Sequence, residues 1–216
     1  MTSSLLALFS SAFVTFLVIV DPPGNAPIFA GLTRDAAAAD RRRMAIRAAI
    51  VAWFILLFFA FLGEPLLDAL GISLAAFRIA GGIMLFIIAL DMVFEKRTER
   101  RENRAHEIEG TPEAEDVSVF PMAIPMIAGP GTIAAIMLYM AEADSMAEKA
   151  TITAAMSAVI LLTMIALLAA GPLMKLMGAK LEAMITRLLG VILAALASQF
   201  VIDGIAAALI SELRTI

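Results

Sequence analysis

The chain has 216 residues, is 62% apolar and has a mean hydropathy of +0.95, values that a water-soluble domain of this length does not reach. It is therefore an integral membrane protein. Formal net charge is −4, and because Lys and Arg concentrate in short loops between apolar runs, the charge pattern reports topology and argues against a nucleic-acid surface. The absence of cysteine excludes disulfides and thiolate metal sites. The start, Met1-Thr2-Ser3-Ser4, lacks the basic segment of a signal peptide, so the first apolar run is expected to be a retained span.

That first run, Leu5 to Leu32, contains Asp21-Pro22-Pro23-Gly24-Asn25. As one helix it would reach roughly 42 Å, against roughly 30 Å of bilayer hydrocarbon. Two consecutive prolines remove two donors and clash with the preceding turn, so the helix is expected to stop and restart here. Irregular backbone at that depth survives only against protein or a water-filled cavity, which makes the break a candidate binding site. Five more runs follow: Met44 to Leu62, Ile72 to Phe94, Val119 to Met140, Thr151 to Ala170 and Arg187 to Ile210. Each is long enough to cross once, and their Leu, Ala and Met content favours helices. The charged stretch from Glu95 to Ser118 is expected to be a solvated linker, dividing the chain into residues 1–94, 95–118 and 119–216.

With six spans, thirteen of the sixteen Lys and Arg fall on one side, in the loops after spans 1, 3 and 5. By the positive-inside rule that side, with the linker, is cytoplasmic, and both termini face away from it. Arg41-Arg42-Arg43 is expected to anchor this topology, with anionic-lipid contact as a second role.

The second half repeats the first. Pro23-Gly24 recurs 107 residues later as Pro130-Gly131, and the same offset carries Pro65-Leu66-Leu67 with Gly71 onto Pro172-Leu173-Met174 with Gly178. After a two-residue insertion, Arg78-x-x-Gly81 matches Arg187-x-x-Gly190. Three spans per copy is an odd number, so the second copy is expected to lie inverted. The fold class that follows is an all-α membrane protein of six transmembrane helices, two inverted three-helix repeats, with spans 1 and 4 broken near mid-membrane. Secondary transporters share this plan and hold substrate at the midplane where the repeats meet.

Several of these motifs occur together in a known family. Asp21-Pro22-Pro23-Gly24-Asn25-Ala26-Pro27-Ile28-Phe29, Gly71-Ile72-Ser73, Arg78-Ile79-Ala80-Gly81-Gly82, Ala128-Gly129-Pro130-Gly131-Thr132-Ile133-Ala134, Arg187-Leu188-Leu189-Gly190 and Gln199-Phe200-Val201-Ile202-Asp203-Gly204-Ile205 together resemble the MarC family. The resemblance covers nearly the whole chain. It implies a six-span protein of the prokaryotic inner membrane, and Asp21 with the Gly24-Asn25 pair resembles the SnatA-like branch, which moves small neutral amino acids such as glycine and alanine.

Each helix restart would offer free N–H groups and a positive dipole end to a carboxylate, while each preceding helix end would offer carbonyls to an ammonium group. Asp21, Pro22, Pro23, Gly24 and Asn25 with Gly129, Pro130, Gly131 and Thr132 are the candidate substrate-binding residues, and a small neutral amino acid of the glycine, alanine and serine class fits their limited volume. Asp21 has two readings, an ammonium or coupling-ion contact and an N-cap followed by proline. Asn25 and Thr132 likewise either bind ligand or satisfy freed backbone groups. Arg78, Asp91, Arg187, Gln199 and Asp203 are gating or coupling candidates, although arginine near a helix end also snorkels to the interface. Gly81, Gly82 and Gly190 are expected to serve helix packing.

No nucleotide-binding Gly-rich loop, Gly-x-Ser-x-Gly or His-Glu-x-x-His occurs, and the one histidine, His106, lies in the linker. The expectation is a non-enzymatic, alternating-access transporter with no cofactor, coupled to H⁺ or Na⁺. A channel, a membrane scaffold and an intramembrane aspartyl enzyme are the alternatives.

Overall fold

The structure, a computed structural model, describes residues 2–94 and 116–213. The described residues form helices α1 (Thr2–Val20), α2 (Pro22–Leu32), α3 (Ala38–Ala69), α4 (Leu74–Val93), α5 (Pro130–Ala141), α6 (Met146–Leu168) and α7 (Ala170–Leu213), with an irregular π-helical stretch, Ser118–Ile127, before α5. Residues Ser4–Leu32, Ala38–Ala69, Leu74–Val93, Met146–Leu168 and Ala183–Ile210 are each long and apolar enough to cross a membrane. Ser118–Ile127 and Pro130–Ala141 meet at 55° and make a sixth crossing if they are one bent span. Of the expected linker over residues 95–118, only Asp116 to Ser118 are among the described residues.

Burial is arranged for lipid. On α3 the inward face carries Ala45, Ala48, Ala52, Ala60 and Gly63, while Phe54, Phe58 and Phe61 point outward. Lipid tails are as apolar as leucine, so helices gain by close approach through small residues rather than by hiding large ones. The same device joins α4 to α7, which run antiparallel. A Cβ on Gly82 would sit 2.9 Å from the Ala197 carbonyl oxygen, and one on Gly204 would sit 3.1 Å from that of Ala75. At the other end of the seam, a Cβ on Gly190 would lie 3.1 Å from the Ala89 oxygen. Backbone therefore touches backbone along the whole pair, and Gly81 turns the adjacent face of α4 toward Ala134 and Leu138 of α5.

Three boundaries differ from the sequence expectation. The second span is the 32-residue α3 and outruns the apolar run Met44 to Leu62, because Ala38 and Ala39 with the amphipathic arginines extend it on the polar side. The loop expected after the fifth run is absent, and α7 starts at Ala170, one residue after α6 ends. Pro172 falls in its first turn, where a missing N–H costs nothing. The first half of the fourth run is a wide, π-type turn of helix broken at two residues rather than a regular α-helix. Phe120 and Ile124 are extended, with φ −124° each, ahead of cis-linked Pro121 and Pro125, since a residue before proline is pushed out of the helical region. Pro121, Met122, Ala123, Met126 and Ile127 are buried, in keeping with irregular backbone shielded by protein.

One ion pair ties the far end of this stretch to α3. The Arg47 guanidinium donates to the Asp116 carboxylate, which also accepts from the Ser118 N–H at 3.0 Å. Burial alone would raise the Asp116 pKa, but the Ser118 hydroxyl and N–H, then Arg47 and Arg43, outweigh it and hold the carboxyl below its ordinary value. A depressed carboxylate stabilises the fold fully above the unfolded pKa of about 3.9 and loses that contribution as pH falls through the folded value. Thermal melting should therefore show an acid limb that Asp116→Asn flattens, by less than about 1 kcal/mol because the pair is exposed to solvent.

Candidate functional site

Helix α1 ends because Asp21 leaves helical geometry. It takes a left-handed conformation, φ 57° and ψ 66°, and it is 1% exposed. Such a conformation is uncommon for a residue with a side chain and is tolerated best by Asp and Asn. Helix α2 begins at once with Pro22 and Pro23, and residues Ser4–Leu32 still run as one span, without the sharp bend of the second break. The Asp21 side chain then caps the new helix by accepting from the Gly24 N–H at 3.2 Å, while the Asn25 N–H reaches the Asp21 carbonyl at 3.0 Å. With two prolines first, no N–H of this turn is left over. The free donors expected at the first restart are thus not there, because Asp21 takes up what the prolines do not remove. Gly24 is required by this cap, since a Cβ would lie 2.3 Å from Asp21 Oδ2.

The second break differs. Ala128 and Gly129 separate the irregular stretch from α5, which starts at Pro130 with no side chain capping it. Gly129 is pressed onto the chain before it, and Gly131 onto α4, where a Cβ would meet Ile88 and Leu85 at 2.6 and 3.2 Å. The same point lies 3.5 Å from Ile19 at the end of α1. The start of α5 and the end of α1 are therefore neighbours, and the first turn of α5 is the uncapped one.

Asn25 and Thr132, related by the 107-residue offset, do the same local job. Asn25 Nδ2 donates to the Val20 carbonyl at 2.8 Å and Thr132 Oγ1 donates to that of Ile127 at 2.9 Å, each reaching back five residues across its break. Both residues are buried, at 0% and 2% exposure. Each side chain thus supplies the donor that the interrupted ladder lacks. Asn25 has one atom in excess of that job. Its Oδ1 is buried without a hydrogen-bond partner, a state that costs about 1–3 kcal/mol unless something donates to it.

Arg78, Gln199 and Asp203 form a separate group at one end of the bundle. Arg78 pairs with Glu142 at 2.7 Å, and Gln199 Nε2 donates to Asp203 Oδ1 at 2.8 Å. Glu142 caps the C-terminus of the 12-residue α5, so this group stands about 17 Å from the Pro130 break. Burial raises the Glu142 pKa and Asp203 adds to that, while Arg78 opposes both. Asp91 and Arg187 lie beside the Gly190 contact, at the opposite end of the α4/α7 seam from Asp203.

Sequence reasoning missed Glu142 and Tyr139. Tyr139 is buried and its hydroxyl shares hydrogen bonds with Ser11 at 3.0 Å and Thr15 at 2.9 Å, joining α5 to α1. Its ring also meets Phe16 and Phe200. As the only tyrosine in the chain, placed three residues before Glu142 at the end of an apolar run, it carried a signal that could have been used. Tyr139 and Glu142 border a cavity of about 270 Å³ with Ser4, Asp144 and Glu148. No cluster of residues suited to hold a metal occurs among the described residues.

Known proteins place the chain. It is 38% identical over 202 residues to the UPF0056 membrane protein of Methanocaldococcus jannaschii, covering 94% of this chain and 98% of that one. It is 34% identical over 206 residues to the UPF0056 membrane protein of Archaeoglobus fulgidus, covering 95% and 96%. The UPF0056 inner membrane protein YhgN of Escherichia coli is 32% identical over 198 residues, covering 90% and 94%. No solved structure matches it. Residues 6–209 match the MarC family integral membrane protein pattern, and the chain belongs to that family.

Proposed function

We propose that this protein is a secondary transporter of small neutral amino acids of the glycine, alanine and serine class, working by alternating access and coupled to H⁺ or Na⁺, in the manner of the SnatA-like branch. The observation that carries this reading is the unpartnered, fully buried Oδ1 of Asn25 beside the Asp21 turn, an acceptor at the break that an ammonium group would fill. The two breaks divide the zwitterion between them. Asp21 and Asn25 supply negative and acceptor atoms for the ammonium end, and the uncapped first turn of α5 supplies N–H groups and a positive dipole end for the carboxylate.

The inverted-repeat plan supports the depth of this site. Helices α2 and α5 have 11 and 12 residues and correspond under the 107-residue offset. At about 1.5 Å per residue each covers about 17 Å, half the bilayer plus its margin. Entering from opposite sides, as the distribution of Lys and Arg requires, both would begin near the midplane, with the termini on the non-cytoplasmic side of the prokaryotic inner membrane. Arg78, Asp91, Arg187, Gln199 and Asp203 then flank the two mouths. The reading is of a transporter rather than an enzyme.

Counterflow of radiolabelled glycine, alanine and serine in proteoliposomes tests it. Saturable exchange of these three, with leucine and glutamate excluded and the rate cut at least tenfold in Asp21→Ala, is the expected result. Absence of exchange for all three overturns the substrate class, and non-saturating flux would make the protein a channel.

A further inference from the structure

We propose that Glu142 is a proton-binding latch: ionised, it ties α5 to α4 through Arg78, and on taking a proton it frees the Arg78 guanidinium to pair with Asp203 on α7. The geometry supplies each part. Arg78 Nη2 lies 2.7 Å from Glu142 Oε1, with the arginine side chain 15% exposed and the glutamate 42%, so the carboxylate faces water on one side and the guanidinium is held inside. Arg78 Nε is buried with no hydrogen-bond partner, which leaves the cation under-satisfied by its present acceptor. Gly204 brings the α7 backbone against Ala75 and Ile79, and this sets Asp203 at the level of Arg78. The guanidinium therefore has a second carboxylate within reach of a change in its own torsions.

The groups around Glu142 favour the proton. From α7 comes Asp203, held by Gln199; from the following loop and α6 come Asp144 and Glu148, which line the same cavity; from α5 itself comes the Tyr139 hydroxyl, and from α1 Ser4. Glu148 accepts from the Asp144 N–H at 2.8 Å. Lys149 does not line the cavity, and on α3, which meets α5 through Gly63 and Met137, Glu64 and Asp68 are exposed. One cation thus faces several carboxylates, and burial with Asp203 raises the Glu142 pKa against the pull of Arg78. A raised carboxyl pKa means that the ionised, latched form is lost as pH falls through the folded value, earlier than an ordinary glutamate near 4.3 would allow.

Protonation is balanced simply. One proton moves from water to a Glu142 oxygen, the guanidinium keeps its own, and one ion pair is exchanged for another. The α4–α5 tie becomes an α4–α7 tie. On the transporter reading, on which this role rests, the exchange opens the mouth beside the Tyr139 cavity and makes opening proton-dependent.

Spin-label distances measured without any amino acid separate the two ideas. The chain has no cysteine, so Ala76→Cys with Ala141→Cys reports α4 to α5, and Ala76→Cys with Ala206→Cys reports α4 to α7. In nanodiscs taken from pH 8 to pH 4, the first distance should lengthen with a midpoint above about 4.3 while the second does not. Glu142→Gln should hold the acid-form distance at every pH, and Arg78→Gln should do the same by removing the other partner. Asp203→Asn should move the midpoint to lower pH. A first distance that ignores pH, or a Glu142→Gln protein that still responds as the wild type, overturns the latch even if transport is found, and a normal latch with no transport overturns only the transporter.

Discussion

Gly129→Ala is expected to cost about 3 kcal/mol or more, the upper range for overpacking, and to leave little folded protein after extraction. A Cβ there would sit 2.4 Å from the Pro125 carbonyl oxygen. That oxygen belongs to backbone already fixed by Pro121 and Pro125, so it cannot swing aside as a flexible side-chain tip would. The nearest alternative is to push α5 away, which would lift Gly131 off Leu85, Ile88 and Ile19. Gly31→Ala is the control. It lies in α2 with nothing within 4 Å of the added atom, and alanine is the better helix former by about 1 kcal/mol. Melting followed through the single tryptophan, whose indole N–H donates to Ser157 Oγ at 2.8 Å, should rise slightly for Gly31→Ala and collapse for Gly129→Ala.

Asn25→Ala and Thr132→Val should separate folding from binding. Each removes the donor that holds a buried carbonyl, Val20 in one case and Ile127 in the other, and each should therefore destabilise by about 1–3 kcal/mol. The ligand response should differ. Only Asn25 carries a buried acceptor left without a partner among the described residues that span the two breaks. Glycine or alanine at saturating concentration should raise the melting temperature of the wild type and of Thr132→Val, and this rise should vanish in Asn25→Ala. If the two variants respond alike, Asn25 has a structural part alone and the ammonium contact must be sought at Asp21.

The membrane class, most of the helical runs and the helix interruptions at Asp21 and at Ala128-Gly129 could be read from the chain because each rests on a local rule. Runs of about 20 apolar residues, paired prolines and glycines at matching offsets need no knowledge of neighbours. The same holds for the glycine seam, foreseen as packing. What could not be read depends on contacts distant in sequence. Glu142 looks like an ordinary loop carboxylate until Arg78, 64 positions earlier, is seen against it at 2.7 Å. The free N–H groups expected at the first helix restart are absent for a subtler reason. The N-cap reading of Asp21 is open in the sequence, but the left-handed conformation by which it both ends one helix and caps the next is not written in residue type. Pro121 and Pro125 were legible and overlooked. Prolines four apart, each following a bulky residue, forbid a continuous helix whatever the hydropathy.

Asn25 and Thr132 also determine what it takes to uncover the carbonyls they hold. In an unbroken helix, freeing such an oxygen would require unwinding a turn and losing several bonds in concert. Here one rotation about a single side-chain torsion suffices, with both rods staying as they are. Val20 and Ile127 thus carry carbonyls that a side-chain rotation alone can uncover, with no helical turn unwound.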